Sequence, residues 1–393
     1  MGKYNFDEVI DRHGTDCLKY DFGMKRKGID DLLPLLVADM DFRLPDEILD
    51  EFHKRIDHGI FGYTDPLDEY FDAMNHWFST RYGYTIKPEW VTLGAGIVYA
   101  LGTSVKAFTE EGDAMMVMQP VYYPFSEVIK NDGRKLVNCQ LRYENNRYSI
   151  DFEKMEQMIK EENVKALIFC NPHNPVGRVW TREEMEKVAE ICLKYNVIWM
   201  VDEMHCDFIF PGHEFTSCMN LDKKFHEIIA LYSSPGKTFN VAGLQPANII
   251  IPNEELRKKY QWANTQAAYS QGSLMGQLAV KVCYTKGADW VDELVEYIYE
   301  NVKYMSRYVK ENFPKAKMVE PEGTYLLWID FSAWNMEQDD LMNAFAEAGV
   351  RLNSGTNYGE CGKGYVRLNV ATQTAVLKKG LECIKVARDS HMA

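Results

Sequence analysis

From Val91 to Leu231 the chain alternates short apolar runs with stretches in which apolar residues recur every three or four positions. Ala114-Met115-Met116-Val117-Met118, Val164 to Cys170, Val197 to Val201 and Ile228 to Leu231 are apolar runs bounded by turn residues, the pattern of buried strands. Val91 to Tyr99 reads as a strand entering a glycine turn and then a helix. Ile48, Leu49, Phe52 and Ile56 predict a helix opened by Pro45-Asp46, and Leu67 to Arg81 predicts another. Thr181-Arg182-Glu183-Glu184 is a capping box, and Met185, Val188, Ala189 and Cys192 share one face of the helix behind it. Strands alternating with helices predict an α/β fold built on a mainly parallel sheet.

The pattern changes near residue 289. Asp289 is expected to cap a long helix carrying Val291, Leu294, Val295, Ile298 and Val302. A strand over Gly323–Asp330 follows, then a helix from about Asp339 that stops at Gly349. Tyr358 to Gly364 is a glycine-rich loop, Tyr365 to Ala371 a strand carrying Arg367, and the chain closes on a helix. These predict a smaller α+β domain over 286–393 beside a large domain over 46–285. Residues 1–45 look irregular, although Leu35 to Leu44 is an apolar segment holding Asp39 and Asp41, the mark of a segment folded over a cleft.

Composition narrows the function. With 393 residues, 46% hydrophobic and 26% charged, the chain can bury a large core. A net charge of −14 argues against nucleic acid and anionic membranes as partners. No apolar run reaches the roughly 18 residues of a membrane span, and Met1 to Asp7 has no apolar signal core. Nine cysteines without C-x-x-C spacing point to reduced thiols in the cytoplasm and to no metal site, with Cys206 a small core residue. Ser390-His391-Met392-Ala393 is left out of the functional reading.

The chemistry centres on Lys237. It follows the turn Ser233-Ser234-Pro235-Gly236 in small and apolar company. Burial lowers a lysine's pKa and makes it an amine able to form Schiff bases. Ser234-x-x-Lys237 also matches a penicillin-binding signature, but the chain has neither Ser-Asp-Asn nor Lys-Thr-Gly. Gly94-Ala95-Gly96 before a helix is a candidate phosphate seat, though Tyr99 stands where a dinucleotide fingerprint needs its third glycine. Tyr122 and Tyr123, Asn174, and Asp202 and His205 all follow predicted strands. Ligands of open α/β sheets bind outside the carboxyl ends of strands, so the sheet brings these residues to one rim. A Schiff-base lysine, an aspartate, an asparagine, a stacking aromatic and a phosphate seat together describe a pyridoxal phosphate site.

The sequence resembles the fold type I pyridoxal phosphate enzymes of aminotransferase class I/II, and among them the cystathionine β-lyase and cysteine–sulfur lyase branch. The resemblance rests on Val37-Ala38-Asp39-Met40-Asp41-Phe42, Gly62-Tyr63-Thr64, Pro120-Val121-Tyr122-Tyr123-Pro124, Asn171-Pro172-His173-Asn174-Pro175, Asp202-Glu203-Met204-His205, Lys237-Thr238-Phe239-Asn240 and Val366-Arg367-Leu368-Asn369. It implies an aspartate aminotransferase-like large domain, with residues 1–45 packing on the small one. It also implies that Lys237 holds the cofactor aldehyde, Asp202 the pyridine nitrogen, and Asn174 with His205 the ring 3′-oxygen. Tyr122 would stack on the ring. The N–H groups of Gly96, Ile97 and Val98, with the Ser234 hydroxyl, would hold the phosphate, joined by Tyr63 from a second copy in a homodimer with shared sites. Arg367 would bind the carboxylate of an amino acid substrate, and Tyr123 would protonate a leaving thiolate. The implied reaction is β-elimination at an L-cystathionine- or L-cysteine-type substrate, giving pyruvate, ammonia and a thiol. An aminotransferase, or a cofactor-binding regulatory protein, uses the same parts. Two departures stand out: Gln245 where many relatives have an arginine on the phosphate, and Thr372-Gln373-Thr374 where many have Pro-Arg.

Overall fold

The structure is a computed structural model that describes residues 2–22, 32–269, 271–313 and 315–391; Met1, Met392 and Ala393 lie outside them. Its central sheet has seven strands: β1 (Val91–Ala95), β2 (Ala114–Val117), β3 (Lys135–Asn138), β4 (Ala166–Cys170), β5 (Ile198–Asp202), β6 (Ile229–Ser233) and β7 (Pro246–Ile250), in the spatial order β1-β7-β6-β5-β4-β2-β3. Only β7 runs antiparallel to its neighbours. The expected mainly parallel sheet is therefore present. Along β2, Met115 and Val117 face one side of the sheet with Leu101 and Phe125, while Met116 faces the other with Met185 and Val188. Both faces are covered, which is why these strands are apolar throughout rather than alternating.

A four-stranded antiparallel sheet follows: β8 (Lys317–Met318), β9 (Leu326–Asp330), β10 (Asn353–Ser354) and β11 (Tyr365–Asn369), in the order β8-β9-β11-β10. A 25-residue helix, Ala288–Asn312, and the closing helix Thr374–His391 pack with it. The long helix begins one residue before Asp289, with Gly287 at the cap. Asp289 instead sits in the first turn, where its charge suits the helix dipole. The capping box at Thr181 is formed in both directions, and Gly349 follows its helix at φ +96°. Among the N-terminal residues, Leu33–Pro34 pair in parallel with Val350–Arg351. No described helix is long and apolar enough to cross a membrane.

One buried carboxylate ties the two sheets together. Glu322 accepts from Arg147 Nε (2.8 Å), from Arg178 Nε (2.9 Å) and from the Val179 N–H (2.9 Å). Gly177 makes the turn beside it possible: its φ is +70°, and a Cβ there would lie 2.9 Å from Pro321. Arg178 is 1% exposed and keeps a second carboxylate, Glu184, at 2.7 Å. Glu322→Ala leaves Arg147, Arg178 and the Val179 N–H short of an acceptor. The expected cost is about 3 kcal/mol, read as a melting temperature lower by several degrees with the fold retained.

Candidate active site

The carboxyl ends of the parallel strands, together with the start of the antiparallel β7, line a single cavity. At its floor, β1 passes through Gly96 into the helix Ile97–Phe108, and Gly96, Ile97 and Val98 all line the space. Gly96 has φ +84°, which a side chain would strain. The first-turn N–H groups of this helix have no carbonyl of a preceding turn to bond. The Gly96 N–H, however, donates to the Gln245 carbonyl at 3.1 Å. The Ser234 hydroxyl donates to the Pro246 carbonyl at 2.6 Å and accepts from the Gly236 N–H at 3.0 Å. Two of the four groups expected to form an anion seat are thus engaged with the chain itself, leaving the N–H groups of Ile97 and Val98.

Asp202, from the end of β5, is buried and accepts from the Met204 N–H at 3.0 Å. Burial pushes its pKa up to about 7, against the pull of that N–H and of Lys237. A cation beside such a carboxyl favours its ionised form. Lys237 faces the same space, its Nζ donating to the Ala38 carbonyl at 2.7 Å. Burial, with Arg367 adding, lowers the Lys237 pKa to about 8, while Asp39 and Asp202 oppose the shift. Much of the amine is therefore neutral near pH 8. His205 is held neutral by burial and by the fields of Lys237 and Arg367, and its Nδ1 is buried without a partner among the described residues.

Asn174 is 4% exposed and its Oδ1 accepts from Arg367 Nη1 at 3.2 Å. Arg367 Nη2 donates to the Leu36 carbonyl at 2.8 Å, and its guanidinium lies 5.1 Å from the centre of the Tyr358 ring. Its Nε is buried and has no hydrogen-bond partner among the described residues. Tyr122 lines the cavity. Tyr123 stands at the margin, 5.4 Å from Tyr122 and 6.3 Å from Tyr358 between ring centres, and 40% exposed. Tyr63 does not reach this cavity; it is 98% exposed.

The structure adds residues that the sequence reading did not assign to the site. Ala38, Cys170, Met204, Gln245 and Pro246 also line the cavity. The Tyr325 hydroxyl donates to the Ala38 carbonyl at 3.0 Å, and its ring packs edge-on to His205 at 5.3 Å. The signal for Ala38 was present in the sequence, since an apolar segment with two aspartates was expected to cover a cleft. Tyr325 carried no such signal, because an aromatic next to an apolar strand reads as core.

The sequence pattern of aminotransferase class I and II matches residues 30–384. The chain belongs to that family. Among curated proteins it is similar to cystathionine beta-lyase PatB of Bacillus subtilis, 39% identical over 98% of this chain and 99% of that one. Among solved structures it resembles a PLP-bound putative aminotransferase from Clostridium difficile 630, with 37% identity, TM-score 0.95 and coverage of 98% and 99% of the two chains. It also resembles a PLP-bound C-S lyase from Staphylococcus hominis, with 32% identity, TM-score 0.91 and 98% coverage of each. In this aminotransferase family setting, the cavity at the strand ends is the candidate active site.

Proposed function

We propose that this aminotransferase-family chain is a pyridoxal 5′-phosphate-dependent carbon–sulfur β-lyase that acts on L-cystathionine- or L-cysteine-type amino acids. The observation that carries the reading is the placement around one cavity of Lys237, whose Nζ reaches the Ala38 carbonyl at 2.7 Å, and the buried Asp202 carboxyl, with burial lowering the lysine's pKa and raising the carboxyl's. The similarity to PatB and to the Staphylococcus C-S lyase supports the lyase assignment.

The residues fit the cofactor. Asp202 suits a protonated ring nitrogen, Asn174 and the unpartnered His205 Nδ1 suit a ring oxygen, and Tyr122 suits a ring face. Ile97 and Val98 offer N–H groups to a phosphate, with Gly96 and Ser234 available once their present partners give way. When bound, the cofactor supplies an electron sink for the carbanion at the substrate Cα.

The chain's own residues do the rest. Arg367, with Nε free and its plane fixed by Asn174, Leu36 and Tyr358, takes the substrate carboxylate in a forked contact. Lys237 Nζ, largely neutral at mildly alkaline pH, accepts the Cα proton. Tyr123, at the solvent margin, gives a proton to the departing thiolate. A homodimer completes the site: Ile60, Phe61, Tyr63 and Leu67 are 66%, 59%, 98% and 74% exposed in one copy, which supports a second copy covering them and lending Tyr63. The nine free cysteines support a reducing, cytoplasmic setting. The division at about residues 45 and 285 is proposed as well, supported by the change from one sheet to the other.

The rival reading, an aminotransferase, is favoured by the name of the Clostridium relative. Adding 2-oxoglutarate separates the two. A lyase releases pyruvate from L-cystathionine at the same rate with or without it. Turnover that begins only when the keto acid is added overturns the lyase reading.

A further inference from the structure

The segment Leu36–Asp41, whose Ala38 lines the cavity, joins no strand ladder, yet each of its six carbonyls is taken by a side chain. Leu36 is held by Asn353 and Arg367, Val37 and Asp39 by Asn369, and Asp41 by Gln373. Buried carbonyls need such partners wherever no ladder supplies them. Two of the holds come from the lysine's own loop. Lys237 takes the Ala38 carbonyl at 2.7 Å. Asn240, three residues on, brackets Met40: its Oδ1 accepts from the Met40 N–H at 2.8 Å and its Nδ2 donates to the Met40 carbonyl at 2.8 Å. A two-point amide contact fixes register, because sliding the strap by one residue breaks both bonds at once. Asn240 has φ +55°, a left-handed conformation that asparagine tolerates better than most residues.

Resting on the functional reading above, we propose that Asn240 is a positioning residue for Lys237. Its amide pins Met40, and this sets the Ala38 carbonyl against Nζ and keeps water from the amine. Asn240 does not line the cavity, and its side-chain hydrogen bonds among the described residues go to Met40 and, at 3.4 Å, to the Phe42 carbonyl, so it acts through the strap, where Arg12 Nη1 shares the Met40 carbonyl at 3.1 Å. The same strap reaches Arg367 through Leu36, so the proposed carboxylate anchor and the amine share one support. The charged and titratable groups whose fields reach Lys237 are Asp39, Asp202, Arg367 and His205. Asn240 is uncharged, so its removal leaves that set unchanged.

The test is Asn240→Gly in the full-length chain, since glycine accepts the positive φ and removes only the amide. Stripped of cofactor and given pyridoxal phosphate, the parent should capture it by absorbance with a pH midpoint near that of Lys237, about 8. Loosening the strap removes an acceptor that favours the ammonium, but it readmits water. Burial is the larger cause of the lowered value, so the midpoint should rise by about one pH unit. After reconstitution, kcat should fall by roughly ten- to a hundredfold while the substrate KM moves less. Asn240→Asp keeps the bond from the Met40 N–H, loses the bond to its carbonyl and adds a negative charge that itself favours the ammonium, so its midpoint should also rise, while its kcat should fall between those of the parent and the glycine variant. A folded Asn240→Gly protein with the parent's midpoint and kcat overturns the role given to Asn240. A parent that captures no pyridoxal phosphate at any pH overturns the functional reading itself.

Discussion

A Lys237→Ala protein should fold, yet lose turnover by roughly 10⁴-fold or more, as happens when a group that both forms a covalent bond and moves a proton is deleted. The expectation follows from the position of the amine. Lys237 is the lysine that lines the cavity, and burial keeps a good part of it neutral. A side chain lost here leaves the rest of the pocket standing, because Tyr325 still holds the Ala38 carbonyl and Asn240 still holds Met40. Borohydride reduction of the cofactor-treated protein provides the second readout. The parent should retain a covalent pyridoxyl group on the peptide carrying Lys237, and the variant should retain none. Turnover within tenfold of the parent would contradict the assignment.

Asp202→Ala should be the next most damaging change, with kcat lower by roughly 10²- to 10³-fold. Asp202 is buried, and among the described residues its side chain accepts from the Met204 N–H. Burial raises its pKa to about 7, so the protein surroundings alone disfavour the carboxylate. A cation beside it favours the carboxylate, and a protonated ring nitrogen would be such a partner. Asp202→Asn preserves the shape and removes the charge, so it should be impaired nearly as much as alanine. If the asparagine variant kept parent turnover, Asp202 would be a structural residue of the β5 terminus and not an electrostatic one.

The linkage has a sign. Asp202 and Glu203 both carry pKa values raised to about 7 by burial. A carboxyl with a raised folded value favours the folded chain at low pH and weakens it as pH climbs through that value. Binding a cation beside Asp202 removes part of this cost, so the cofactor should protect the fold most above neutrality.

The parallel strands were legible because each is short, covered on both faces and therefore apolar end to end. Their carboxyl ends then placed Asn174, Asp202 and Lys237 at one rim. The antiparallel β7 was not, since a run opening on Pro246 after the turn at Gln245 reads as a loop continuing from the lysine. The helix Leu274–Lys286 was also missed: Gly276, Gln277, Ala279, Val280, Val282, Cys283 and Tyr284 are all buried, so burial on several sides leaves no amphipathic stripe to read. At the site, residue types announced the cofactor chemistry, but the partners of each group did not show. Nothing in the sequence says that the Gly96 N–H goes to Gln245, that the Ser234 proton goes to Pro246, or that Asn240 reaches back 200 residues to Met40. Such contacts depend on how distant segments meet, and local spacing carries no record of that.

The most direct test is product accounting with the cofactor-loaded chain and L-cystathionine, with no keto acid present. The account predicts pyruvate, ammonia and thiol in equal amounts, sustained over many turnovers. Absence of pyruvate, or amino-group loss that stops after one equivalent until a keto acid is supplied, would contradict it.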